Sequence, residues 1–348
     1  MSNTLLIIDD TKENIDILVD LLSLEYIILV ALDGKKGLSL ARQHKPDLIL
    51  LDVMMPGMDG FEVCRALKSD FETEHIPVIF ITALADVNDE AKGIRLGAVD
   101  YIRKPFNPMI VQSRVRSNIT YKNYQNTLER EVQERTKKIE AVKDVIIKSM
   151  GMMAEFRDSE TGEHIKRTQE YVKLIAEKLM ALPNNPYRLT PDRIRSLYKS
   201  APLHDIGKVA IPDAILLKPG PLTPKEYEIM KSHTEAGREA IEAIKRDLPS
   251  EAFLNDALDI VYCHHEKWDG SGYPLGLVGE EIPVSGRIMA LADVYDALIS
   301  KRIYKEAYSH ARAKKIILEG KGYHFDPMIV DIFLELEDDF KEIASRCQ

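Results

Sequence analysis

Five short apolar runs, most of them ending on a polar residue, constrain the first third of this chain more than any other feature. Residues 4–8 run TLLII into Asp9 and Asp10, residues 47–51 run DLILL into Asp52, and residues 77–81 run PVIFI into Thr82. Residues 26–30 (YIILV) and 98–102 (AVDYI) complete the set, and segments of helical length, such as 14–24 and 35–44, lie between them. Near-continuous apolar strands alternating with amphipathic helices imply a doubly wound, five-stranded parallel α/β sheet covered on both faces. In such a sheet functional groups gather beyond the carboxyl ends of the strands, where Asp9, Asp10, Asp52 and Thr82 fall.

Three carboxylates at adjacent strand ends repel one another unless a hard divalent cation sits among them. Mg²⁺ takes oxygen ligands, keeps its waters and binds beside phosphate. An aspartate can also accept a phosphoryl group covalently. Thr82 is placed to hydrogen-bond that phosphate and Lys104 to neutralise it, with the Lys104–Pro105 bond expected cis.

The strand pattern stops near Asn107, and residues 109–153 are long, charged and free of internal proline. Leu128, Val132, Ile139, Val142, Ile146 and Met153 fall on alternating steps of four and three, with Arg135 and Ser149 at seam positions. Two readings stay open: a parallel coiled-coil dimer, or a single helix packed on its own neighbouring domain. Beyond Gly151, helical spacing is broken by Pro/Gly loops at 183–186, 218–221 and 269–274, which describes an all-α second domain. The expected organisation is a domain over 1–120, a helical linker over 109–153 and a helical domain over 150–348.

Composition excludes several classes. A formal charge of -9 over 348 residues disfavours a nucleic-acid polymer or an anionic membrane as partner. Cys64, Cys263 and Cys347 are scattered and odd in number, so no disulfide framework or CxxC zinc pattern can be built from them. The N-terminus lacks a basic n-region and no stretch reaches about 18 apolar residues, so a cytoplasmic chain without a membrane anchor is expected.

The second half concentrates donors. Glu160, His164, the run HDIGK at 204–208, His233, His264, His265 and Asp293 include five of the nine histidines. Nitrogen and carboxylate donors together suit Fe, Mn, Zn, Ni or Co better than Ca²⁺. Glu160 and His164 are four apart and share a face on a helix. Adjacent His204 and Asp205 diverge on a helix, so the histidine can serve one metal while the carboxylate bridges to its neighbour. His264 and His265 diverge likewise. Lys208, one turn after His204, points at the same pocket. A bridged pair of metals can activate water and clamp a phosphodiester.

Two resemblances follow from these residues. Residues 1–120 resemble a response-regulator receiver domain, a flavodoxin-like fold, through IIDD at 7–10, LDVMMPGMDG at 51–60, Thr82, Tyr101 and KPF at 104–106. That resemblance implies Asp52 as phosphoacceptor for a cognate histidine kinase, Mg²⁺ held by Asp9, Asp10, Asp52 and the Met54 carbonyl, and Thr82, Tyr101 and Lys104 as switch residues. Residues 150–330 resemble the HD-GYP branch of the HD superfamily, which hydrolyses cyclic di-GMP. The match rests on ETGEH at 160–164, HDIGKVAIPDAILLKPG at 204–220, HHEKWDGSGYP at 264–274, ADVYDAL at 292–298, RIYK at 302–305 and HFDP at 324–327.

The second resemblance implies Glu160, His164, His204, Asp205, His233, His264, His265 and Asp293 as ligands of two or three divalent metals. Fe or Mn is favoured, and Glu160 permits the third. Asp205 would be the bridging, catalytic carboxylate and Lys208 the group at the scissile phosphate. Arg302 and Lys305 would hold substrate phosphate, and Gly272, Tyr273 and Pro274 would form the signature loop. The pattern departs at Ile303 and Ala210, which leaves the ligands untouched. The implied function is phosphorylation-controlled hydrolysis of cyclic di-GMP by a homodimer, with either linear pGpG or GMP as the final product. The alternatives are a different cyclic dinucleotide as substrate, or a nucleotide-sensing, partner-recruiting protein with little turnover.

Overall fold

The computed structural model describes residues 3–83, 92–157, 162–249, 251–300 and 307–346. It divides into two compact units, Met1–Lys137 and Lys138–Gln348.

The first unit alternates β1 (Thr4–Ile8), α1 (Lys12–Leu22), β2 (Ile27–Ala31), α2 (Gly34–His44), β3 (Leu48–Asp52), α3 (Gly60–Lys68), β4 (Val78–Thr82) and β5 (Asp100–Arg103). The strands form one parallel sheet in the order β2-β1-β3-β4-β5. Side chains alternate across the pleat, so each strand feeds two cores. Leu5, Ile7, Leu48 and Leu50 face Ile15 and Leu18 of α1, while Leu6, Ile8, Ile49 and Leu51 face Val63 and Leu67 of α3. Local chemistry starts the helices: Asp33 caps α2, and Asp59 with Glu62 forms a capping box on α3. The expected strand over 98–102 begins later, at Asp100, because Gly97 takes a left-handed φ of 94° and the Ala98 N–H turns back to the Gly93 carbonyl at 3.2 Å.

The helix α4 spans Pro108–Phe156. Its first turns bury Val111, Val115 and Ile119 in the core beside Leu5 and Ile7. The seam residues Leu128, Val132, Ile139, Val142 and Ile146 are exposed by 48–57% and Met153 by 70%. The seam is therefore solvated, while Ile147 and Met150 of the same helix pack against the second unit.

The second unit is helical: α5 (Gly162–Met180), α6 (Pro191–Ser200), the short α7 (Asp213–Leu216), α8 (Pro224–Lys231), α9 (His233–Asp247), α10 (Phe253–Cys263), α11 (Val284–Ile299), α12 (His310–Glu319), α13 (Pro327–Glu335) and α14 (Glu337–Arg346). Among the described residues it holds only isolated bridges and no strand. Tyr171 of α5, Tyr295 of α11, Phe333 of α13 and Phe340 of α14 meet in its main core, with Tyr171 stacked on Phe340 at 4.5 Å. A smaller cluster joins Leu203, Ile241, Leu254 and Val261, with Ile147 and Met150 of α4 packed against it. No helix among the described residues is long and apolar enough to cross a membrane.

His204 and Asp205 lie between two 3-10 segments, Ala201–Leu203 and Ile206–Ala210, rather than on an α-helix as their spacing suggested. The second segment presses on the start of α9. A Cβ on Gly207 would come within 1.9 Å of the His233 carbonyl oxygen. Gly207→Ala should therefore destabilise the second unit by about 1–3 kcal/mol through forced backbone displacement. Urea unfolding of the full chain checks this, the expected change being an earlier transition for the helical unit alone.

Candidate metal centre

The receiver-like unit gathers Asp9, Asp10 and Asp52 so that one oxygen from each lies within 4.8 Å of the others. Lys104 Nζ sits 3.0 Å from Asp9 Oδ2 and 3.0 Å from Asp52 Oδ1. Asn14 Nδ2 donates to Asp9 at 3.0 Å. Burial raises the proton affinity of Asp52 above the ordinary carboxylate range, against the hydrogen bond from Lys104. Thr82 is buried at the end of β4, and Met54 is 63% exposed at the rim. Tyr101 lies on β5 with the Arg114 guanidinium 5.1 Å from its ring. The Lys104–Pro105 bond is cis.

The helical unit holds two further clusters. Asp205, His233, His264 and His265 each offer a ligand atom within 4.8 Å of the others, and Glu155, His164 and His204 do the same. Asp205 lies between them. Its Oδ1 is 3.2 Å from His233 Nε2 and 3.6 Å from His264 Nε2, while its Oδ2 is 3.3 Å from His204 Nε2. Lys208 Nζ is 2.7 Å from that same Oδ2. Asp293 Oδ1, from α11, stands 3.7 Å from His164 Nε2 and 3.9 Å from His204 Nε2.

His264 and His265 converge on one cluster instead of diverging. Helix α10 ends at Cys263, so the angular step between helical neighbours no longer applies to them. Glu160, Arg302 and Lys305 lie outside the described residues. The segment that follows Pro274 is held by Glu266, which sequence reasoning did not single out. Buried and carboxylate-bearing, it accepts from the backbone N–H of Leu275 at 2.6 Å, Gly276 at 3.2 Å and Leu277 at 3.1 Å. Tyr273, between Gly272 and Pro274, stacks on His265 with centroids 4.8 Å apart, and its N–H donates to the His265 carbonyl at 3.2 Å.

The imidazoles are aimed from behind. His204 Nδ1 donates to the Ala201 carbonyl at 3.0 Å, His233 Nδ1 to Met230 at 2.8 Å and His264 Nδ1 to Ile260 at 2.9 Å. His164 Nδ1 meets Asp296 Oδ2 at 2.8 Å, and Asp296 is in turn clasped by Arg167 at 2.6 and 2.8 Å. Each ring thus turns Nε2 towards the cluster, the outer-shell arrangement by which proteins orient metal-binding histidine. Asp296 and Arg167 were also missed from sequence. Each sits three residues after a flagged residue, Asp293 and His164, which puts both pairs on shared helical faces.

Electrostatics favours a cation here. Burial opposes charge on His204, but the carboxylates of Asp205, Asp293 and Glu155 outweigh it and draw its pKa up to about 10. Burial would raise Asp205, yet Lys208, His204 and His233 hold it well below the usual range. Burial pushes His264 down, and His265 further, with neighbouring imidazoles adding to it. Asp205 Oδ1, His233 Nε2 and His264 Nε2 are buried without a hydrogen-bond partner. Buried lone pairs left unsatisfied are costly, and a divalent ion satisfies all three at once. The residues present therefore fit a divalent metal.

Residues 148–329 match the HD domain family, and residues 5–116 match the response regulator receiver domain family. A Vibrio cholerae relative named "Probable cyclic di-GMP phosphodiesterase" is 47% identical over 99% of this chain and 80% of its own length. The "Cyclic di-GMP phosphodiesterase response regulator RpfG" of Xanthomonas campestris is 35% identical over 90% of this chain and 82% of its own. A "3'3'-cGAMP-specific phosphodiesterase 2" of Vibrio cholerae is 43% identical over 58% of this chain and 36% of its own.

The support given to His164 by Asp296 yields a test. Asp296→Asn should weaken Mn²⁺ binding by about 10- to 100-fold without changing the final number of ions bound. It should also lower the thermal midpoint, because Arg167 loses its buried carboxylate. Equilibrium dialysis and a melting curve on one preparation read both.

Proposed function

This chain belongs to the family of response regulators that join a receiver domain to an HD domain, and from that premise we propose that it hydrolyses cyclic di-GMP to linear pGpG under control of Asp52. The observation that carries the reading is the Asp205 carboxylate, whose two oxygens face two separate imidazole clusters. We assign His164, His204 and Asp293 to one metal, and His233, His264 and His265 to another, with Asp205 shared. Glu160 joins them if a third ion binds. Fe or Mn is the favoured identity.

Divalent ions bound there would supply Lewis acidity to the scissile phosphate and an activated water. The chain does the rest. Lys208 holds its protons at Nζ beside Asp205 Oδ2, placed to neutralise or protonate the departing oxygen. Arg302 and Lys305 are assigned to the non-bridging phosphate oxygens. Tyr273, stacked on His265, offers a wall against which a planar base can lie. A second reading, in which the substrate is a mixed cyclic dinucleotide, is favoured by the relative named for 3'3'-cGAMP.

For the receiver, Asp52 is the proposed phosphoacceptor, with Asp9, Asp10 and the Met54 carbonyl as Mg²⁺ ligands and Thr82, Tyr101 and Lys104 as the responding groups. The exposed seam on α4 supports a homodimer formed through that helix.

Two experiments test these assignments. Anaerobically prepared full chain loaded with Mn²⁺ or Fe²⁺ should convert cyclic di-GMP to pGpG, and faster than 3'3'-cGAMP. His204→Ala combined with Asp205→Ala should reduce kcat/KM by about a thousandfold or more, and Lys208→Met should reduce kcat by about 10²- to 10⁴-fold with metal content intact. Turnover that survives the double substitution contradicts the reading. Separately, beryllofluoride should change both oligomeric state and turnover of the wild type and neither property of Asp52→Asn. An unchanged wild type contradicts the proposed control.

A further inference from the structure

The cluster around His164 includes a carboxylate that neither the spacing of the motifs nor the resemblances assign. Glu155 lies in the last turn of α4, at the far end of the helix that starts in the receiver-like unit. It is 1% exposed, whereas Val142, Val145, Ile146 and Met153 in the preceding turns are exposed. Its Oε1 stands 3.8 Å from His164 Nε2 and 3.8 Å from His204 Nε2, and those two nitrogens are 3.5 Å apart. A point equidistant from three atoms at those separations lies about 2.1 Å from each. That is the length at which imidazole nitrogen and carboxylate oxygen bind first-row divalent ions. Glu155 is as near the two histidines as Asp293, which stands at 3.7 and 3.9 Å.

The placement is built, not incidental. Gly151, one turn earlier, packs so tightly that a Cβ there would fall 2.2 Å from the Pro202 carbonyl oxygen, just ahead of His204. Lys199 ties the same helix down through Glu140 at 2.7 Å and Asp144 at 3.0 Å, and Lys143 through Glu251 at 2.7 Å. The end of α4 is therefore seated on the segment that carries the His-Asp pair, with its carboxylate directed between two imidazoles.

We propose that Glu155 is a metal ligand, completing with His164 and His204 the coordination of one ion and making the last turn of α4 part of the metal centre. The inference rests on the divalent-metal reading above and adds a residue to it. One consequence is mechanical: rotation or translation of α4 would shift a ligand directly, without an intervening contact.

The test is metal binding by the full chain under anaerobic conditions, with Mn²⁺ as the probe. Bound ions are counted by equilibrium dialysis, and the thermal midpoint is measured with and without the ion. Glu155→Gln keeps the shape of the side chain and removes its charge. It should bind one equivalent of Mn²⁺ at least about tenfold more weakly than wild type, keep the remaining equivalent, and show a smaller Mn²⁺-induced rise in midpoint. If that variant does not fold, Glu155→Asp, which withdraws the carboxylate by one methylene, should show the same selective weakening. Wild-type stoichiometry and affinity in the folded variant overturn the assignment of Glu155 while leaving the metal reading in place. A wild-type chain that binds no Mn²⁺ overturns the metal reading and this inference with it.

Discussion

A single buried carboxylate organises the catalytic half of this protein. Asp205 lies among His204, His233 and His264 with Lys208 against one oxygen, and burying an anion costs several kcal/mol unless charges around it compensate. The surrounding helices in turn fix the imidazoles of the cluster. The end of α8 presents the Met230 carbonyl to His233, α10 presents the Ile260 carbonyl to His264, and α11 brings Asp293 and Asp296 to the opposite side. The cost of Arg167 and Asp296 inside the core is met by their mutual hydrogen bonds. Phosphate-ester chemistry is the natural use of such a site, because a phosphodiester is itself an anion that needs concentrated positive charge.

The receiver-like unit solves the same problem at smaller scale. Parallel strands deliver Asp9 and Asp52 to one edge of the sheet, and Lys104 closes the gap between them at 3.0 Å from each. Burial keeps Asp52 reluctant to carry charge alone, which favours a cation beside it, the place Lys104 takes. Both units thus place acidic groups where solvent screens them little. Helix α4 belongs to both: Val111 and Val115 sit in one core, and Ala154 and Glu155 are buried in the other.

Much of this was legible in the chain. The apolar runs located four of five strands to within a residue, because short apolar runs alternating with segments of helical length are what a sheet covered on both faces requires. His164, His204, Asp205, His233, His264, His265 and Asp293 were all flagged, and the structure brings them into two adjoining clusters. What was not legible depended on leaving helical geometry. His204 and Asp205 sit between 3-10 turns, so their divergence does not come from an α-helical step, and His264 follows the last turn of α10, so that step misdescribed the His264–His265 pair. Glu155 carries no spacing signal towards His164, since α4 ends at Phe156 between them. Glu266 works through backbone N–H groups nine to eleven residues away, which no side-chain pattern reveals.

The central claim is that Asp205 joins two metals rather than lining one. Electron paramagnetic resonance of the full chain, loaded anaerobically with Mn²⁺, measures this directly. Two ions sharing a carboxylate lie about 3.5–4 Å apart and should give an exchange-coupled signal that collapses to isolated ions in Asp205→Ala. A wild-type spectrum of magnetically isolated Mn²⁺ at full loading would contradict it.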